Sequence, residues 1–133
     1  MAHTYYWEAE GLYRKFFDEI SGEEILTSNF EIHNEPEFIN IKYIINDFND
    51  VSGYTVKKEH TGIYAKTDDI ISNTKGKLNI AIVVKNEELK LFAESYRQQM
   101  KNRQFTCEIF DSLEEARDWV AKKNSLPNKQ NNT

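Results

Sequence analysis

The sequence predicts an α/β domain with a largely parallel sheet, and three observations lead there. Short β-branched runs alternate with amphipathic helical stretches through most of the chain. The two most apolar runs, residues 41–47 and 78–84, lack the polar alternation of a half-solvated strand, so both of their faces need cover. An aromatic-rich hairpin opens the chain in place of a glycine-rich first turn.

The elements follow in order. Tyr5, Tyr6, Trp7 and Glu8, then residues 12–17, flank Ala9, Glu10 and Gly11 and predict the hairpin. Ser21 with Glu24 three residues on makes a capping box. The helix it opens turns Ile25, Leu26 and Phe30 to the sheet, and Pro36 marks its end. Residues 41–47 form a strand, apolar up to Asn46 apart from Lys42, and residues 46–53 read as a polar loop. A helix over 56–73 places Val56, Ile63, Ile70 and Ile71 on one side. Gly62 within it costs about 1 kcal/mol against alanine, which points to a close packing contact. Residues 78–84 form a second buried strand. Asn86 caps a helix over 87–100 with a stripe of Leu89, Phe92, Ala93, Tyr96 and Met100. Residues 106–110 are the last strand. Ser112 with Glu115 opens a final helix with Ala116, Trp119 and Val120 inward. Residues 1–123 are expected to form a single domain, and residues 124–133, rich in Asn, Lys and Gln with Pro127, a disordered polar tail.

A chain of 133 residues can bury one core without staples. Lys plus Arg is 17 against 22 Asp plus Glu, a net charge of −5, which argues against a dedicated nucleic-acid binder. The single cysteine, Cys107, rules out an intrachain disulfide and reads as a small buried hydrophobe in a strand. No apolar run approaches the roughly 18–20 residues that span a bilayer. The N-terminus lacks the basic-then-apolar pattern of a signal peptide, so a cytoplasmic location is expected.

Parallel α/β sheets bind ligands beyond the carboxyl ends of their strands. Those ends carry Asp18, Asp47, Asn49, Asp50, Ser52, Asn86, Asp111 and Ser112. Such residues serve turns and caps, and they also make a polar rim for a ligand or cation. Lys57 and Lys58 stand where the second helix begins and oppose its dipole. An anion held by free backbone amides would account for them, and so would solvent screening with pairing to Asp50 or Glu59. The hairpin aromatics Tyr5, Tyr6, Trp7, Tyr13, Phe16 and Phe17 supply core on one face and, on the other, a cavity wall or a homodimer contact. His3, His33 and His60 are too scattered for a zinc site. The five glycines are spread singly, so no phosphate loop is present, and no nucleophile elbow is found. Receiver-type phosphoaspartate chemistry would want a lysine after the last strand, and Phe110, Asp111 and Ser112 supply none. No cofactor or metal site is expected.

Three stretches resemble the SpoIIAA-like (STAS-type) family. They are Ser21, Gly22, Glu23 and Glu24 opening the first helix, residues 41–48 as the central strand, and residues 107–119 as the closing strand and helix. The resemblance covers about residues 5–122 and is to members of unassigned function, with a more distant similarity to CRAL-TRIO lipid-binding domains. It implies a β-β-α-β-α-β-α-β-α order, a mostly parallel five-stranded sheet with an N-terminal hairpin, and flanking helices. In the phospho-regulated branch, a serine in an Asp-Ser-Ser-Gly turn after the central strand is the target of a kinase. The nearest match is Asp50, Val51, Ser52 and Gly53, with Val51 in place of the first serine.

Three functions follow as expectations. The first is a non-enzymatic regulatory or binding domain for a protein partner or a small apolar ligand, with Asp47, Asn49, Asp50, Ser52, Lys57 and Lys58 as the candidate binding or regulatory surface. The second is a phospho-regulated STAS antagonist using Ser52. The third is an enzyme with a strand-end acidic site near Asp47 and Asp50.

Overall fold

A computed structural model describes the backbone of residues 3–131 and the side chains of residues 3–123. The elements are β1 (His3–Trp7), β2 (Gly11–Ser21), α1 (Gly22–His33), a 3-10 turn (Pro36–Asn40), β3 (Tyr43–Thr55), α2 (Lys58–Lys75), β4 (Leu78–Val83), α3 (Glu87–Gln99), β5 (Phe105–Phe110) and α4 (Leu113–Asn131). Five strands form one sheet in sequential order. The sheet is mixed: β1 pairs antiparallel with β2, and β2 through β5 pair in parallel. The apolar strands β3 and β4 are central, as their composition requires.

Parallel neighbours in sequential order need one crossover helix each, and right-handed crossovers put all three on the same face. Inward side chains of β2 to β5 accordingly pack Leu12, Phe16, Ile44, Ile80, Ile82 and Phe105 against α1, α2 and α3. The opposite face is covered by α4 alone. There Tyr43, Ile45, Ala81 and Val83 meet Ala116 and Val120. The backbone of α4 runs on to Asn131, through residues expected to form a disordered polar tail. Residues 132–133 of that tail lie outside the described residues.

The caps fall where expected. Ser21 Oγ accepts from the Glu24 amide (3.1 Å), Asn86 Oδ1 from the Leu89 amide (2.8 Å) and Ser112 Oγ from the Glu115 amide (3.2 Å). Gly11 is required by a close approach, since a Cβ there would lie 2.3 Å from the Tyr43 ring.

Four expectations are corrected. Residues 46–53 are not a loop: β3 runs on to Thr55, because the long strand β2 pairs with it throughout, across two register shifts. Phe48, Val51 and Tyr54 pack against the core from that extension. In α1 the inner stripe is Ile25, Ser28, Asn29 and Ile32, which leaves Phe30 outside and 48% exposed. In α2 the inner stripe is Thr61, Tyr64, Ala65, Asp68 and Ser72, so Ile63 and Ile70 face outward. Gly62 is not a tight contact, as a Cβ there would meet only Gln99 Oε1 at 3.6 Å.

Candidate functional site

The site grows from Arg14. On β2, alternate residues point to the three-helix face, so Leu12 and Phe16 enter the core and Arg14 between them is carried in. It is 4% exposed. Its Nε donates to Oδ1 of Asn46, the residue directly across on β3 (2.9 Å), and its Nη1 donates to Ser28 Oγ on α1 (2.9 Å). The guanidinium carbon lies 4.9 Å from the centre of the Phe16 ring, which stacks on Phe48. Among the described residues no carboxylate forms an ion pair with Arg14, and its Nη2 has no hydrogen-bond partner. Burial pushes the guanidinium down to about 10, opposed chiefly by the charge of Asp68.

Asp68 enters from α2. One carboxylate oxygen accepts from the Tyr96 hydroxyl of α3, and the other is 3.4 Å from His33 Nε2 at the end of α1. Burial, then the charge of Asp68, holds the Tyr96 phenol well above its ordinary range. Tyr64 Oη donates to the Gly22 carbonyl (2.8 Å), and Thr61 Oγ1 to the Lys58 carbonyl (2.7 Å).

Between these groups and the sheet lies a cavity of about 100 Å³. Its walls are mostly apolar, with Ile44, Ile80 and Ile82 from the sheet and Leu89, Phe92 and Ala93 from α3. Arg14, Asn29, Asn46 and Asp68 supply polar groups. Phe48 within β3, Val56 just past its end and Phe92 on α3 are half-buried on the cavity wall. Among the described residues no group of His, Cys, Asp and Glu is placed to hold a metal ion. The Cys107 thiol is buried, and burial raises it far above its ordinary value.

None of the six surface residues singled out in the sequence lines this cavity. Asp47 is buried toward the α4 face, accepting from the Tyr13 hydroxyl (2.8 Å) and the Asn49 amide (3.0 Å). Asn49 stitches strand ends together: its Nδ2 donates to the Asp111 carbonyl (3.0 Å) and its Oδ1 accepts from the Lys85 amide (2.8 Å). Asp50 pairs with Lys15 at 2.6 Å on the surface. Ser52 is exposed on a bulge of β3, opposite the step from Asp18 to Glu19. Lys57 is the N-cap of α2 and Lys58 its first residue, both exposed. The Lys57 amide donates to His60 Nδ1 (2.9 Å), and His60 Nε2 lies 3.3 Å from Glu23. A carboxylate of the chain itself therefore stands at that helix start.

The cavity residues carried a sequence signal of their own. A charged residue at an inward position of an apolar strand, as Arg14 between Leu12 and Phe16, and polar residues at helical spacing, as in Thr61, Tyr64 and Asp68, both mark a polar site facing inward.

A β-β-α-β-α-β-α-β-α chain with three helices on one face of a five-stranded mixed sheet and a fourth on the other has the SpoIIAA-like (STAS) fold. The chain is similar to the solved anti-sigma factor antagonist SpoIIAA in its unphosphorylated form, with 16% identity, a TM-score of 0.57, and coverage of 90% of this chain and 98% of that one. It is also similar to an uncharacterized DUF3478-family protein with a SpoIIAA-like fold from Shewanella loihica PV-4, at 17% identity and a TM-score of 0.49, covering 90% and 93%. No family model and no curated protein matches the chain. No described helix is long and apolar enough to cross a membrane.

Proposed function

We propose that the chain is a non-enzymatic, cytoplasmic binding domain that takes a small, largely apolar ligand into the cavity beneath α1, α2 and α3. The cavity carries this reading: its volume of about 100 Å³ is of the order of the roughly 150 Å³ of an engineered apolar cavity that takes up benzene. Native mass spectrometry of protein purified from its own host tests it. The expected result is a retained mass that Ala93→Phe, which fills the cavity, removes while the variant still melts cooperatively. A retained mass unaffected by that substitution would place the ligand elsewhere and overturn the reading.

A second reading is favoured by the exposure of Ser52 on its bulge. Here the exposed rim of Asn49, Asp50, Ser52, Lys57 and Lys58, without the buried Asp47, meets a protein partner, and phosphorylation of Ser52 regulates the contact, as the description of SpoIIAA by its phosphorylation state suggests for that protein. Recovery of co-purifying protein by the native chain is compared with that by Ser52→Glu and by Lys57→Glu with Lys58→Glu. Equal recovery by all three sinks it. The enzyme alternative has less support, since Asp47 is engaged by Tyr13 and Asp50 by Lys15, and neither reaches the cavity.

A further inference from the structure

We infer that the cavity's ligand is a small organic carboxylate, its head group paired with Arg14 and its hydrocarbon part held against Ile80, Ile82, Val84 and Phe92. The inference rests on the ligand-binding reading and names the chemical class of the ligand.

A guanidinium taken out of water needs a counter-charge in contact, and Arg14 has none among the described residues. Asp68 shares the cavity, but its two oxygens face Tyr96 and His33 rather than Arg14. The Nε and one Nη1 proton of Arg14 are committed to Asn46 and Ser28, which leaves N–H groups at the Nη1–Nη2 end free. Asn46 spends its carbonyl oxygen on Arg14, so its amide N–H groups remain as further donors at the same place. The amide of Asn29, also on the cavity wall, can turn either end toward a ligand. A head group that only accepts hydrogen bonds and carries negative charge satisfies this set, and the planar fork of arginine matches a carboxylate with two parallel bonds. Away from Arg14 the wall is aliphatic and aromatic, which selects a hydrocarbon tail.

Calorimetric and NMR titrations of the intact protein with butyrate and hexanoate, against butan-1-ol, hexan-1-ol and hexanamide, decide the matter. The acids are expected to bind about tenfold or more tighter than the matching alcohols and amide, the worth of a charge-assisted hydrogen bond. Arg14→Met should erase that preference, Arg14→Lys should keep part of it, and Ala93→Phe should abolish binding of every probe. Equal binding of acid, amide and alcohol would overturn the carboxylate assignment and leave the apolar-ligand reading standing. Binding of none of them would overturn both. An acid preference that persists in Arg14→Met would overturn the role of Arg14. Should Arg14→Met fail to fold, the comparison of acids with alcohols on the native chain stands as the test by itself.

Discussion

Glu8 and Arg117 are 109 residues apart in sequence and meet fork to fork, with Arg117 Nη1 and Nη2 donating to the two carboxylate oxygens at 2.8 and 2.7 Å. Tyr43 Oη donates to the same carboxylate. The pair clips the hairpin end to α4 across the face that α4 alone covers. Arg117, through its hydrogen bonds, holds the Glu8 carboxyl below its ordinary value of 4.5. A carboxyl lowered on folding adds stability that is present above its unfolded value and is lost as pH falls through the folded one. Resistance to urea should therefore fall below about pH 4.5, and Glu8→Gln should flatten that part of the profile while costing roughly 1 kcal/mol at neutral pH. An unchanged acid limb would show that the pair contributes nothing.

Gly11→Ala should cost about 1–3 kcal/mol, the range for an added methyl forced against a packed side chain. The methyl meets the Tyr43 ring, at 2.3 Å from its nearest atoms. Combined with Tyr43→Leu, the loss should be less than the sum of the two single losses, because they share one contact. Full additivity in a double-mutant cycle would count against the clash.

His3 is buried between Tyr5 and Phe16, and neither ring nitrogen has a partner among the described residues. Burial, with Arg14 adding to it, lowers its pKa below the ordinary 6.5. Below that value the unfolded chain binds a proton that the folded chain refuses, so stability falls as pH drops. His3→Phe should add about 1 kcal/mol near pH 5.5 and less near pH 7.5, compared by urea midpoints. A gain of equal size at both values would trace the effect to packing alone.

Trp119→Ala should cost about 1–2 kcal/mol, below the roughly 3–5 kcal/mol of a fully enclosed tryptophan. Trp119 is only half-buried, resting on Phe110 with a ring separation of 5.7 Å. Denaturant unfolding that showed a loss above about 3 kcal/mol would mean that the ring is deeper than its exposure indicates.

Where local pattern and tertiary demand agreed, the sequence was enough. The apolar runs of β3 and β4, the caps at Ser21, Asn86 and Ser112, and the stripe of Leu89, Ala93 and Tyr96 all sit as their residue types require. The extension of β3 was hidden because Asn49, Asp50, Ser52 and Gly53 are turn formers, and only the long partner strand β2 overrides that preference. The inner face of α2 was misread for a related reason: Ile63 and Ile70 follow a helical period as well as Tyr64 and Asp68 do, and hydrophobicity favoured the wrong stripe. The site went unseen with it, since its polar residues come from five elements that meet only in the folded chain. The strand-end rim was legible as residues, and the structure ties Asp47, Asn49 and Asp50 into local contacts.

The unequal cover of the two sheet faces sets an order of opening. On one side three helices share a continuous core, while α4 is held by a patch built from Tyr43, Ile45, Ala81, Val83, Ala116 and Val120, with the Glu8 clip at its edge. Detaching α4 breaks that patch and leaves the other core whole, so amide protons of α4 should exchange with solvent through a partial opening of lower free energy than the opening that frees β3 and β4. A domain built this way can loosen one flank while the packing beneath its other three helices stays closed.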